Sequence, residues 1–170
     1  MILLAIDPSL SSTGFAVFDE DGKLIEYGKQ TTGNKIIEED RMCKIANKMK
    51  ILIEKYKVEV VVMETQFFSK NAKTSMQLSR LRGAITYVCR GLNVDMKYLT
   101  PAEARKLLMG VGSSKKEDIA NYIRENVIDL GPLIDRTCKE KNSDIYDSIG
   151  IGLAFLKKEE EAPAEPKADI

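Results

Sequence analysis

The sequence predicts an α/β domain, a mixed five-stranded sheet flanked by helices. Three observations carry this prediction. Two apolar runs, residues 2–6 (ILLAI) and 60–63 (VVVM), are too short for helices and read as strands buried on both faces. The first is followed by alternating segments on either side of Asp21-Gly22, a hairpin signal that gives the sheet an antiparallel start. Thereafter, apolar residues at three- and four-residue spacing alternate with strand-like runs. The resulting order is βββ-α-β-α-β-α-α-α.

Each element has its own signal. Phe15 and Val17, then Ile25 and Tyr27, alternate across the hairpin. Residues 37–56 place Met42, Ile45, Ala46, Met49, Leu52 and Ile53 on one helical face. Residues 58–65 form the next strand. A helix over 72–90 follows, with Met76, Leu81, Ala84, Ile85 and Val88 expected inward, and residues 93–99 supply the fifth strand. Thr100, Pro101 and Glu103 form a capping box with proline at the first helical position. Ser114 and Glu117 form a second box, starting a helix to about residue 128. Residues 131–142 read as a loop and 143–158 as the last helix, with Ile145, Ile149, Leu153 and Leu156 at helical spacing. The domain is expected to span 1–156, leaving 157–170, charged and rich in Pro and Ala, as a disordered tail.

Composition narrows the chemistry. The 170 residues are 44% apolar and 31% charged, which fits one globular domain with a sizeable core. No apolar run approaches a membrane span and no signal peptide is visible, so a cytoplasmic, membrane-free protein is expected. Three widely spaced cysteines give neither a disulfide framework nor a zinc knuckle. Histidine is absent, which excludes histidine-based nucleophile pairs, general bases and zinc sites. Carboxylates or lysines must carry any catalysis.

The acids fall in a pattern. Asp7 ends the first apolar strand and Glu64 ends the fourth. If both strands are central and parallel, these carboxylates share the sheet edge where open α/β folds bind ligands. Asp144 and Asp147 share one face at the start of the last helix. Taken singly, each has an ordinary reading as a strand end or an early-helix acid favoured by the dipole. Taken together, four carboxylates would repel by roughly 4 kcal/mol per close pair at an effective dielectric near 20, unless neutralised. An all-oxygen set suits Mg²⁺ or Mn²⁺, and two such ions suit phosphodiester hydrolysis.

Net charge is zero, yet residues 67–116 hold ten basic side chains against Asp95 and Glu103, a local charge of +8. Lys115 and Lys116, with the amides of residues 112–114, could clamp a phosphate, although a solvated lysine pair is the commoner case. The run GVGSSKK matches neither a Walker loop nor a dinucleotide fingerprint. Phe67 and Phe68, beside Lys70, could stack on or wedge between bases, or could both be core residues.

IDPSLSSTGFAVF, METQFFSKNAKTSMQLSRLRGA, the GVGSSKK turn and SDIYDSIGIGLA, in this order, resemble the RuvC family of Holliday junction resolvases. The resemblance covers residues 2–156. It implies a ribonuclease H-like fold and a homodimer that binds four-way or other branched DNA and nicks two opposed strands symmetrically in recombination and repair. Asp7, Glu64, Asp144 and Asp147 match the family's four catalytic, metal-binding acids. Asp144 fits the variant with an acid where some members carry histidine. The implied cofactor is Mg²⁺, with Mn²⁺ substituting, at two ions per site. Phe67 matches the aromatic that unstacks bases, and Arg105 and Lys116 match basic DNA-contact positions, Arg105 standing where lysine is usual. Lys70, Lys73, Arg80, Lys106 and Lys115 complete the expected DNA-binding set. The first loop reads DPSLSSTG rather than DPG followed by Ser/Thr and a basic residue, the mark of a divergent branch such as a phage-carried one.

Two other readings remain. A non-catalytic branched-DNA binding module would use the acids structurally. An actin-like phosphotransferase shares the opening strand, acid and T-G hairpin, but needs a second similar domain, for which 170 residues without an internal repeat leave no room.

Overall fold

The computed structural model describes residues 1–65, 71–131 and 142–161. Strands β1 (Leu3–Asp7), β2 (Ser12–Phe18), β3 (Leu24–Thr31), β4 (Val60–Glu64) and β5 (Asp95–Leu99) form one sheet of order β3-β2-β1-β4-β5. The first three strands are antiparallel, while β4 and β5 run parallel to β1. Helices α1 (Glu38–Tyr56) and α2 (Ala72–Gly91) cover one face. Helices α3 (Pro101–Met109), α4 (Lys116–Asn126) and α5 (Ser143–Glu161) cover the other.

Alternation along each strand feeds two cores. Leu4, Ile6, Val61 and Met63 pack with α1 and α2; Leu3, Ala5, Val60 and Val62 pack with α3, α4 and α5. This two-sided burial explains the unbroken apolar runs of β1 and β4. Asp21-Gly22 does lie at the β2–β3 reversal, in a loop longer than a two-residue turn. Gly22 takes φ +74°, and the Asp19 carboxylate accepts from the Asp21 and Lys23 amides.

Four local expectations need correction. Met76 is exposed, because it lies in the first turns of α2, before the helix packs; Leu81, Ile85 and Cys89 form the inner stripe. The cap of α4 falls one residue later than read. The Asp118 carboxylate accepts from the Lys115 amide at 2.7 Å, while the Ser114 hydroxyl turns back to donate to the Val111 carbonyl. Helix α5 continues to Glu161, past both the expected end at 158 and the expected tail boundary at 157. Lysine and glutamate are good helix formers, and Lys157 donates to the Leu107 carbonyl while Lys158 pairs with Glu103. Residues 162–170, the rest of the expected tail, lie outside the described residues, as do Phe67, Phe68 and Lys70.

Two glycines let α5 sit on the sheet. A Cβ at Gly14 would overlap the Asp144 carbonyl oxygen, and a Cβ at Gly152 would overlap the Phe18 ring. The first contact fixes where the helix begins relative to β1, because Gly14 pairs with Asp7.

Candidate active site

The sheet register places the first two acids. Ile6 pairs with Met63, so Asp7 and Glu64 follow side by side at the carboxyl ends of adjacent parallel strands. Side chains alternate in a strand, so Asp7 shares its face with Leu3 and Ala5, and Glu64 shares its face with Val60 and Val62. Both carboxylates therefore project toward α5. Asp144 and Asp147 stand in the first two turns of that helix, held against β2 at Gly14. Tyr146, between them in sequence and buried, steadies this end of α5: its hydroxyl accepts from the Leu130 amide and donates to the Gly131 carbonyl.

The electrostatics bind the four into one unit. Burial first, then Asp147, Glu64 and Asp144, push the Asp7 carboxyl up to about 8 against the opposing pull of Lys116. Glu64 is raised in the same way, first by burial and then by Asp147; Arg105, Lys116 and Arg82 counter this. Ionising a carboxyl buried among like charges creates a demand for a compensating cation. Lys116 answers part of that demand, its ammonium lying 2.5 Å from Asp147 Oδ2. Among the described residues, no three acidic or cysteine side chains yet close on a single point at ligating distance. The donor set nonetheless fits a hard divalent cation: carboxylate oxygens only, two on rigid strand ends and two on one helix face.

A cleft of about 430 Å³ opens beside the acids. Glu64, Asp147, Arg105 and Lys116 line it, over an apolar wall that includes Leu108 and Ile119. Anionic and cationic groups thus share one opening, as a phosphate with bound cations requires. Lys115 stands exposed at the α4 N-terminus beside Lys116. The other expected DNA contacts are dispersed. Lys106 faces Lys157 and Lys158 near the end of α5, away from the acids. Lys73 is exposed at the start of α2, and Arg80 pairs with Glu38 of α1 at 3.2 Å. Phe67 and Lys70 lie outside the described residues.

Sequence reasoning missed two supporting side chains. The Arg82 guanidinium donates to the Glu64 carbonyl and lies 5.9 Å from the Tyr98 ring centre. The Ser12 hydroxyl donates to Asp144 Oδ2 at 2.6 Å. Arg82 was visible only as one cation among ten. Ser12 gave no local signal, since its partner lies 132 residues away.

Comparison with known proteins meets this geometry. The family model for crossover junction endodeoxyribonuclease RuvC matches residues 3–154. The RuvC of Rickettsia conorii is 30% identical over 159 residues, which cover 92% of this chain and 97% of that protein. The RuvC of Dictyoglomus thermophilum is 28% identical over 163 residues, covering 94% and 99%. Among solved structures, Thermus thermophilus RuvC in complex with Holliday junction substrate superposes with a TM-score of 0.81 at 18% identity, covering 98% of this chain and 99% of that one. The mixed five-stranded sheet flanked by helices that the sequence predicts is the one found. From the ordered motifs through the strand register to the matched length, the agreement leaves one assignment: the chain belongs to the RuvC family of crossover junction endodeoxyribonucleases.

Proposed function

We propose that this chain is a metal-dependent, structure-selective endodeoxyribonuclease that resolves Holliday junctions by paired nicks, acting as a homodimer in the cytoplasm. One observation carries the reading: the carboxyl of Asp7, buried at a central strand end, is raised to about 8 by burial and three converging acids. A structural acid is expected beside a partner that keeps it ionised, whereas Lys116 opposes the rise in Asp7 without cancelling it.

Asp7, Glu64, Asp144 and Asp147 would hold Mg²⁺, for which Mn²⁺ substitutes, at two ions per site. When bound, the ions supply charge neutralisation of the phosphodiester and activation of the attacking water. The chain's own residues do the rest. Arg105 and Lys116 draw the phosphate backbone into the cleft, and Lys115 extends that positive edge. The apolar wall excludes water from one side of the phosphate. Strand ends β1 and β4 keep two ligands rigid, so that α5 alone sets the position of the other two. Phe67, three residues beyond Glu64 in the sequence, is the aromatic that would enter the junction.

One observation favours the non-catalytic reading: Asp147 is already paired with Lys116. One lysine cannot neutralise four carboxylates, which leaves the nuclease as the better account. The test is incubation with synthetic four-way junctions in Mg²⁺ and in EDTA. Symmetric nicks on two opposed strands, present only with metal, are expected. Binding without nicking across several junction sequences would sink the proposal.

A further inference from the structure

The loop joining β1 to β2 is tied down on every side, and this bears on the acids. Across its mouth, the Thr13 hydroxyl, fully buried, donates to the Ser9 carbonyl at 2.6 Å and accepts from the Ser9 amide. From outside, the Thr32 hydroxyl donates to the Leu10 carbonyl, and the Thr32 amide donates to the Ser11 carbonyl at 3.0 Å. Arg41, reaching over from α1, donates to the Thr32 hydroxyl, the Leu10 carbonyl and the Ser11 hydroxyl. Ser12 therefore leaves the loop with its backbone fixed before it enters β2.

Ser12 and Gly14 lie two apart in β2 and share the face that meets α5. Gly14 admits the Asp144 backbone, and Ser12 meets the Asp144 side chain. An O–H donor at 2.6 Å from a carboxylate oxygen has the length of a charge-assisted bond. It engages Oδ2 and restrains the rotation of the carboxyl group, leaving Oδ1 outside this bond.

We propose that Ser12 is a positioning residue for the metal site, orienting Asp144 so that one carboxylate oxygen is presented to the cation and the other is held by the protein. The inference rests on the four-acid metal site proposed above. It gives the SLSS segment, in which the chain departs from the bacterial loop pattern, a specific role. Residues 9–11 make the bonds that clamp the loop, and Ser12 carries the clamp to the fourth acid.

Threonine and valine have nearly the same shape and differ in the hydroxyl, so Ser12→Thr and Ser12→Val isolate the bond. The readout is Mn²⁺ binding to the DNA-free protein, followed by the electron paramagnetic resonance signal of free Mn²⁺, with thermal melting as the folding control. Ser12→Val should bind Mn²⁺ about tenfold more weakly than wild type, within the usual range for removal of a partner that orients a ligand, while Ser12→Thr stays close to wild type. In cleavage assays, Ser12→Val should need more Mg²⁺ for half-maximal rate and approach the wild-type rate at saturation. Equal Mn²⁺ affinity for the valine and threonine variants would overturn the role of Ser12. Asp7→Asn separates the two levels of the claim. If wild type binds Mn²⁺ and Asp7→Asn does not, the metal site stands and only the serine is on trial. If Asp7→Asn binds as tightly as wild type, the metal-site reading fails and the inference fails with it.

Discussion

Asp7 is the residue on which the metal-site reading depends most. Its folded-state carboxyl is pushed up to about 8 from an ordinary value of 3.8. The folded, metal-free protein therefore holds this proton more tightly than the unfolded chain. Its contribution to stability is complete below the unfolded value and is lost as pH rises toward about 8. Metal binding requires the carboxylate and expels the proton, so metal affinity should climb over the same range. Melting of the metal-free protein should fall between about pH 5 and 8, and added Mg²⁺ should raise the melting temperature more at the upper end. Asp7→Asn, which imitates the protonated form, should flatten both trends. An Asp7→Asn profile that parallels wild type would contradict the assigned burial. Lys116 makes a second residue-level prediction. With Ala at this position, junction binding should weaken, and the log–log salt slope should become shallower by about 0.9 for each phosphate that Lys116 neutralises. An unchanged slope would mean that Lys116 serves the acids rather than the phosphates.

At the scale of the element, α5 is the part that assembles the site, and Gly14 is the residue that seats it. Gly14→Ala forces a methyl into the Asp144 carbonyl, backbone against backbone, so neither side can yield by a rotamer change. The expected destabilisation is at least about 3 kcal/mol in urea unfolding, at the upper end for overpacking. Gly33→Ala meets nothing within 4 Å and should stay within about 0.5 kcal/mol of wild type. A Gly14→Ala protein as stable as wild type would show that α5 can dock elsewhere. The elements themselves were largely legible. Apolar runs marked β1 and β4, Asp21-Gly22 marked the hairpin, and the Thr100/Glu103 box is present with both of its bonds. The errors fell at the ends. Glu117 and Asp118 both suit a reciprocal cap, and Asp118 is the one that makes the bond. The composition of residues 157–161 resembled a tail, but contacts with α3 keep them helical.

For the whole molecule, the convergence of the acids could not be read from spacing. Asp144 and Asp147 announce each other at three residues apart; nothing local connects them to Asp7 or Glu64. That link requires the parallel β1–β4 pairing and the seat of α5 on β2, both set by tertiary packing. The resemblance of four ordered motifs implies that link, and the electrostatic coupling of Asp7 to Asp147, Glu64 and Asp144 agrees with it. The basic segment behaved differently. Its +8 charge correctly pointed to an anionic partner, but it is not one patch. Arg105 and Lys116 line the acid cleft, Lys106 turns toward the end of α5, and Arg80 is engaged with Glu38. Charge counting along the chain reports a preference for nucleic acid, not which cations touch it.

The most direct test compares wild type and Glu64→Gln on one synthetic four-way junction in Mg²⁺, reading binding and cleavage from the same samples. Glutamine keeps the shape of the strand end and removes one negative charge from the cluster. Cleavage is predicted to fall by at least about a thousandfold while the junction is bound as tightly as before, or tighter, since one repulsion toward phosphate is gone. Cleavage by Glu64→Gln at the wild-type rate would contradict the four-acid metal site.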